Sequence, residues 1–304
     1  MAVIFSILIA LISSTYPTLP LLDTVSYISN DAVRAERAIS PAQLSDPPIK
    51  TDIRSLGPVL SAQSAIVVDA KSGAVLFEKN ANTKHPIASI TKLESALIFL
   101  DTEPDLTKRV AMREEDDREG GEDFIRPGQS ATLHDYLRAS LLGSANNATM
   151  VLSRSTGSTT DEFVGRMNKR AGELGMNDTV FVEPSGLDPG NVSTARDLVK
   201  LLDVVSGSAV IREITGTNRA SIRVLPSGIY KTILTTNHLM GSIVWVEYGK
   251  TGYLDESRYN LATAVSTKQG NTLYIVALGS ETNEDRVQDA KNLAVWAGDT
   301  YSWE

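Results

Sequence analysis

The strand patterns of this 304-residue chain fall into two groups with a long helical stretch between them, and that spacing restricts the fold more than any other feature. Ala65–Ala70 (A-I-V-V-D-A) reads as a strand, Lys71-Ser72-Gly73 as a turn, and Ala74–Glu78 (A-V-L-F-E) as the returning arm of a hairpin. A helical run follows from about Ser89 to Leu100, and from about Asp105 to Glu213 the patterns stay mostly helical. Within that stretch Thr132 and Asp135 resemble a capping box for a helix over Thr132–Leu142. Thr160–Leu174 has helical spacing with Gly175 as its stop, and Ser193 is placed to cap a helix through Leu202. Strand patterns return at Ile243–Tyr248, Leu261–Thr267 and Leu273–Gly279, and a helix over about Glu284–Ala297 ends the chain. Two strands, a helical insert, three strands and a helix predict an α/β (α+β) fold. Its centre is an antiparallel five-stranded sheet flanked by helices.

Ahead of this lies a segment of different character. The first charged side chain is Asp23, and Ala2–Ile12 is apolar apart from Ser6, which suits the apolar core of a signal peptide. It lacks the usual Lys or Arg at its start. Extended through Leu22 it approaches the length of one membrane span, although Pro17 and Pro20 would break a helix there. Residues 1–22 are therefore read as a signal peptide or signal anchor and export as their consequence. Residues 23–50, which hold Pro41, Pro47 and Pro48, are read as a linker, and 51–304 as the catalytic domain.

Composition excludes several classes of function. Hydrophobic residues make up 42% and charged residues 22%, which rules out a mostly disordered chain, a collagen and a multi-span membrane protein. The net charge of −8 argues against a nucleic-acid partner, which requires a basic stripe. With no cysteine there is no disulfide, no thiolate nucleophile and no cysteine zinc site. The three histidines, His85, His134 and His238, form no metal-ligand pattern, so a histidine-based metal site is not expected.

Three short motifs carry chemistry. Ser89-Ile90-Thr91-Lys92 puts a hydroxyl and an amine on one helix face, since positions i and i+3 are neighbours. A serine hydroxyl is a poor nucleophile until a base takes its proton, and a lysine can do so only when neutral. The free N–H groups of a helix start suit an oxyanion. About one S-x-x-K is expected by chance at this length, and its ordinary explanation is a capping serine beside a surface lysine. Ser144-Ala145-Asn146 sets a hydroxyl and an amide at a loop-to-helix junction, where proton relay and carbonyl binding are possible; the ordinary explanation is a helix cap. Lys250-Thr251-Gly252 follows the strand pattern Ile243–Tyr248, with a cation and hydroxyl suited to a carboxylate and a glycine allowing close backbone approach. An ordinary strand exit would look similar.

Taken in this order, the three motifs match the signature of penicillin-binding proteins and class A β-lactamases. The chain resembles a serine-type D-alanyl-D-alanine carboxypeptidase, a low-molecular-mass penicillin-binding protein with a β-lactamase/transpeptidase-like fold. The likeness spans roughly Leu60 to Trp296 and includes P-I-A-S-I-T-K-L at 86–93, L-L-G-S-A-N-N-A at 141–148, P-S-G-L-D at 184–188, S-T-A-R-D-L at 193–198 and G-K-T-G-Y at 249–253. The resemblance implies that Ser89 is acylated, that Lys92 is its base, and that Ser144 passes a proton to the leaving group. It further implies that Asn146 binds the substrate amide, that Lys250 and Thr251 face the terminal carboxylate, with Gly252 beside them, and that the N–H groups of Ser89 and Tyr253 form an oxyanion hole. The partners it implies are peptidoglycan stem peptides and, as covalent inhibitors, β-lactams, and it implies neither a metal nor an organic cofactor. Lys250 should help keep Lys92 neutral, because two cations in one cleft oppose each other's charge.

The sequence departs from the family pattern in places. Glu94 stands where an apolar residue is usual, Leu254 where a Thr is common, and only Arg286 is available as a carboxylate-binding arginine in the stretch 280–286. Family members with a β-rich second domain or an amphipathic carboxy-terminal anchor carry sequence that is not expected here. A β-lactamase would need a deacylating glutamate between the second and third motifs, and Glu183 invites that comparison. An endopeptidase and a non-catalytic wall-binding protein complete the alternatives.

Overall fold

Strands from near both ends of residues 51–304 meet in one sheet. The computed structural model describes residues 46–118 and 120–304. Residues 1–22 and most of the expected linker therefore lie outside the described residues. The sheet comprises β1 (Ser64–Asp69), β2 (Val75–Lys79), β3 (Trp245–Leu254), β4 (Arg258–Ser266) and β5 (Thr272–Ser280). Its spatial order is β3-β4-β5-β1-β2, antiparallel throughout. This is the five-stranded antiparallel sheet that the spacing of the strand patterns predicts.

All six residues of β1 are buried because both faces of the sheet are covered. Ile66 and Val68 point into a core shared with the helical insert, whereas Ala65 and Val67 point into a second core with Ala290, Leu293 and Ala297. A strand covered on both faces is a continuous apolar run instead of an alternating one, which is the pattern read at A-I-V-V. The insert supplies α1 (Thr91–Leu100), α2 (Leu133–Leu141), α3 (Asn146–Ser155), α4 (Thr160–Glu173), α5 (Ala195–Ser206) and α6 (Ala209–Thr215), and α7 (Asn283–Thr300) backs the other face.

Thr132 caps α2 by accepting from the Asp135 N–H at 3.1 Å, as its spacing indicates. At α5 the cap is Thr194, one residue beyond the Ser193 expected from sequence. Ser193 is unavailable because it pairs with His85 in a two-residue strand, and its hydroxyl bonds Thr179 Oγ1 at 2.7 Å. Ile49–Lys50, the last two residues of the expected linker, pair antiparallel with Tyr301–Ser302. No local pattern marks a two-residue strand whose partner lies at the far end of the chain. A hairpin of Arg219–Val224 with Ile229–Leu234 stands beside α2 and was not expected from the sequence.

Asp289 of α7 fastens the two ends of the domain. Its buried carboxylate accepts from the Ser61 and Ala62 N–H groups at 3.0 and 2.8 Å, from Ser61 Oγ at 3.0 Å and from Ser280 Oγ at 2.8 Å. Asp289→Ala removes the acceptor and leaves these donors unpaired. It should cost about 2–4 kcal/mol, read as a lower midpoint in denaturant with an unchanged slope.

Candidate active site

Ser89 lies in a single 3₁₀ turn, Ala88–Ile90, that leads directly into α1. Ala88 is held at φ +49°, a conformation uncommon for a residue with a side chain. The turn is pressed from both sides. A Cβ on Gly252 of β3 would lie 2.5 Å from the Ile87 carbonyl oxygen and 3.3 Å from the Ser89 nitrogen. One on Gly186 would lie 2.0 Å from the Ala88 carbonyl oxygen. Glycine is required at both positions because backbone, not a movable side chain, occupies the space.

Lys92 is fully buried, one turn of helix beyond Ser89. Its Nζ donates to Ser89 Oγ at 2.8 Å, to Asn146 Oδ1 at 2.7 Å and to the Ser185 carbonyl at 2.5 Å. Asn146, the first residue of α3, also donates from Nδ2 to the Gly120 carbonyl at 2.9 Å. Burial pulls the Lys92 pKa down to about 7, and the Glu183 carboxylate acts in the opposite direction. The amine can therefore lose its proton near neutrality.

Ser144 is not a helix cap: Ala145 is the N-cap of α3, and Ser144 sits in the loop at φ +62°. Its Oγ accepts from Lys250 Nζ at 2.9 Å. Lys250, Thr251 and Gly252 lie inside β3 and not after it, because the strand runs on to Leu254. Alternation then turns Lys250 and Gly252 toward the Ser89 turn. Lys250 is buried, and desolvation followed by the Lys92 and Arg286 charges holds its pKa well below the ordinary lysine value. The expectation that Lys250 keeps Lys92 neutral is thus modified. Burial is the main cause at Lys92, and the opposition between the cations acts on Lys250. Thr251 Oγ1 shares a hydrogen bond with Thr236 Oγ1 at 2.6 Å. Tyr253 is half exposed at the rim, its OH donating to Asp255 Oδ1 at 2.6 Å.

All eight residues singled out in the sequence meet here. Ser89, Ser144, Asn146, Thr251, Gly252 and Tyr253 line one open cleft, with the two lysine amines bonded to the serine hydroxyls behind it. Thr236 and Gly120 also line it, and no motif marked them. Arg286 reaches the same wall, but as a brace. Its Nη1 donates to the Gly252 and Asn260 carbonyls at 3.3 Å each, and its guanidinium stacks 5.5 Å from the Tyr259 ring. Burial lowers its pKa to about 10.

A serine hydroxyl bonded to a buried amine, beside a second serine whose lysine partner lies on an edge strand, defines a serine peptidase of the penicillin-binding class. The D-alanyl-D-alanine carboxypeptidase family matches residues 52–282, and the chain belongs to that family. It is 31% identical over 264 residues to a D-alanyl-D-alanine endopeptidase of Pseudomonas aeruginosa, covering 85% of this chain and 84% of the relative. A Bacillus subtilis D-alanyl-D-alanine carboxypeptidase is 30% identical over 74% of this chain and 59% of its own length. Among solved structures, an evolved penicillin-binding protein homologue from Mycobacterium tuberculosis superposes with a TM-score of 0.73 at 30% identity, covering 85% of this chain and 95% of that one. A mutant of a Streptomyces DD-transpeptidase gives 0.74 at 25% identity, over 79% and 98%.

Glu94 explains its departure from the family pattern poorly by packing alone. Its side chain is fully buried in α1, and neither oxygen has a hydrogen-bond partner among the described residues. Arg170 Nε lies 3.8 Å away, but that guanidinium also serves Asp101. Burial outweighs the ion pair and lifts the Glu94 pKa to about 8. Such a group binds its proton more tightly folded than unfolded, so stability falls as pH rises from about 4.5 to about 8. Glu94→Gln should raise the thermal midpoint at pH 8 and lose that advantage below pH ~4.5, as scanning calorimetry across pH would show.

Proposed function

We propose that this chain cleaves the D-alanyl-D-alanine bond of peptidoglycan stem pentapeptides by way of an acyl-enzyme on Ser89. The observation that carries the reading is the bond from the buried Lys92 amine to Ser89 Oγ, because it couples the nucleophile to a base poised near neutral pH. Ser89 Oγ attacks the penultimate D-alanine carbonyl as its proton passes to Lys92. The oxyanion forms between the Ser89 and Tyr253 N–H groups, which the close approach of β3 to the 3₁₀ turn supports. The terminal D-alanine leaves as an amine protonated through Ser144, and water later frees the enzyme. A substrate carboxylate entering beside Lys250 and Thr251 favours charge on Lys250, and that charge disfavours a second one on Lys92. Asn146 holds both the base and the substrate amide.

Penicillin reacts at the same serine, since its strained amide and acid group meet the same partners. A β-lactamase reading is not supported, because the Glu183 oxygens are occupied by backbone and side-chain donors and the residue does not line the cleft. The assembled motifs likewise disfavour a non-catalytic wall-binding role. A second reading, cleavage of a peptidoglycan cross-link, is favoured by the likeness to endopeptidases of Pseudomonas aeruginosa and Escherichia coli, each 31% identical. Both reactions share the acyl half and differ in the leaving amine. Either one places the enzyme at the outer face of the cytoplasmic membrane, in the periplasm or in the wall. Among the described residues no helix is long and apolar enough to cross a membrane; an amino-terminal anchor at residues 1–22 is part of this proposal.

Incubation with a pentapeptide ending in D-Ala-D-Ala and, separately, with a cross-linked dimer, followed by mass analysis, distinguishes the two; loss of one alanine from the monomer supports the first. Ser89→Ala should lower acylation by fluorescent penicillin at least about 10³-fold with the far-UV dichroism unchanged. Retained labelling would falsify the nucleophile. Lys92→Arg should be nearly as damaging as Lys92→Ala, since Arg keeps its proton at working pH. In the wild type, acylation should fall about tenfold per pH unit below pH ~7, as Lys92 becomes protonated.

A further inference from the structure

Glu183 makes more hydrogen bonds than the proposed reaction asks of it. Oε2 accepts from the Ser185 N–H and from Ser185 Oγ, both at 2.6 Å. Oε1 accepts from the Gly186 N–H, from the Leu187 N–H at 2.8 Å and from Asn191 Nδ2 at 2.8 Å. One carboxylate thus gathers consecutive N–H groups of a single turn, an arrangement that fixes backbone around an anion. The turn itself reaches the reacting groups. Its Ser185 carbonyl accepts from Lys92 Nζ, and its Pro184 carbonyl accepts from Ser95 Oγ one helical turn further along α1. Gly186 lies against the Ala88 carbonyl, where no Cβ fits. On the other side, the fully buried Asn191 joins Glu183 to the start of the 3₁₀ turn, because its own carbonyl accepts from the Ile87 N–H at 2.9 Å.

We propose that Glu183 is a positioning residue for Lys92 and Ser89: its carboxylate holds the 184–188 turn in the shape that supplies an acceptor to the Lys92 amine and packs on the backbone of the nucleophile. Three acceptors, one on each of three elements, fix where the amine sits, and this turn supplies the Ser185 carbonyl among them. The charge has a second consequence. A negative group behind the turn favours the protonated amine, so Glu183 offsets part of the effect of burial. The cations of the site are Lys250, which opposes Lys92, and Arg286, whose charge acts on Lys250. Glu94, two residues along α1, has its charge partner in Arg170, on α4. Among these, Glu183 is the anion that acts on Lys92.

The proposal rests on Lys92 being the base, and the test separates the two. Penicillin acylation rates are measured across pH for wild type, Glu183→Gln and Glu183→Asp, each normalised to the fraction of enzyme that labels. A wild type with no acidic limb near pH 7 overturns the base assignment itself. Given that limb, Glu183→Gln turns amide hydrogens toward the turn's N–H groups and removes the charge. Its plateau should fall about tenfold or more, and its limb should move to lower pH by about half a unit, because the neutral amine then persists further into acid. Glu183→Asp keeps the charge on a shorter stem. Its plateau should fall while the limb stays in place. A Gln variant with the wild-type plateau, or with a lowered plateau and an unmoved limb, overturns the proposal. If the Gln variant does not fold, the Asp variant decides: a wild-type plateau or a displaced limb overturns it.

Discussion

The amine of Lys92, wholly out of water, is the constraint on which the rest of this site depends. A buried ammonium without partners is prohibitively unfavourable, and the protein answers with three acceptors from three separate elements. The Ser89 hydroxyl belongs to the 3₁₀ turn, the Asn146 amide to the start of α3 and the Ser185 carbonyl to the turn shaped by Glu183. Moving any one of these leaves the amine unsatisfied. Burial, offset in part by the Glu183 carboxylate, sets a proton affinity near neutrality, a property that an exposed lysine does not have.

The sheet fixes the fourth side. β3 is an edge strand, so its outer rim is free to face the cleft, and its Lys250 and Gly252 are brought against the Ser89 turn. Arg286 holds that rim in register by bridging the Gly252 and Asn260 carbonyls where β4 and β5 shift register between Tyr259 and Leu261. Two lysines, two serines and an arginine thus crowd into one region. Desolvation moves the pKa values of both lysines and of Arg286 downward, and at Lys250 the Lys92 and Arg286 charges add to it. An incoming carboxylate is the natural complement of such a region, which fits a substrate ending in a free acid.

The fold tolerates two unusual features beside this machinery. Ser144 and Ala88 both adopt positive φ, each within a loop or turn clamped by neighbours. Glu94 is buried without hydrogen-bond partners among the described residues, close in sequence to Lys92, yet its charge partner Arg170 belongs to α4. The site and this liability therefore share a helix while facing different neighbours.

The sequence by itself determined the order of elements, the two-group strand pattern and the three motifs, because these depend on local periodicity and on residue type. A continuous apolar run bounded by Lys71-Ser72-Gly73 is readable without a partner, and so is a Ser three positions before a Lys. Tertiary structure alone decided that this Lys is out of water and bonded to the serine: its burial comes from α3, β3 and the 184–188 turn, which lie far along the chain. It also decided that Lys250 lies within a strand, that Thr194 and not Ser193 caps α5, and that Ile49–Lys50 pairs with the carboxy terminus. In each of those cases the deciding hydrogen bond comes from a distant segment, and no local pattern records it. Glu183 shows the difference most directly. In sequence it is an acid before a proline, and only the folded turn closes five donors around it.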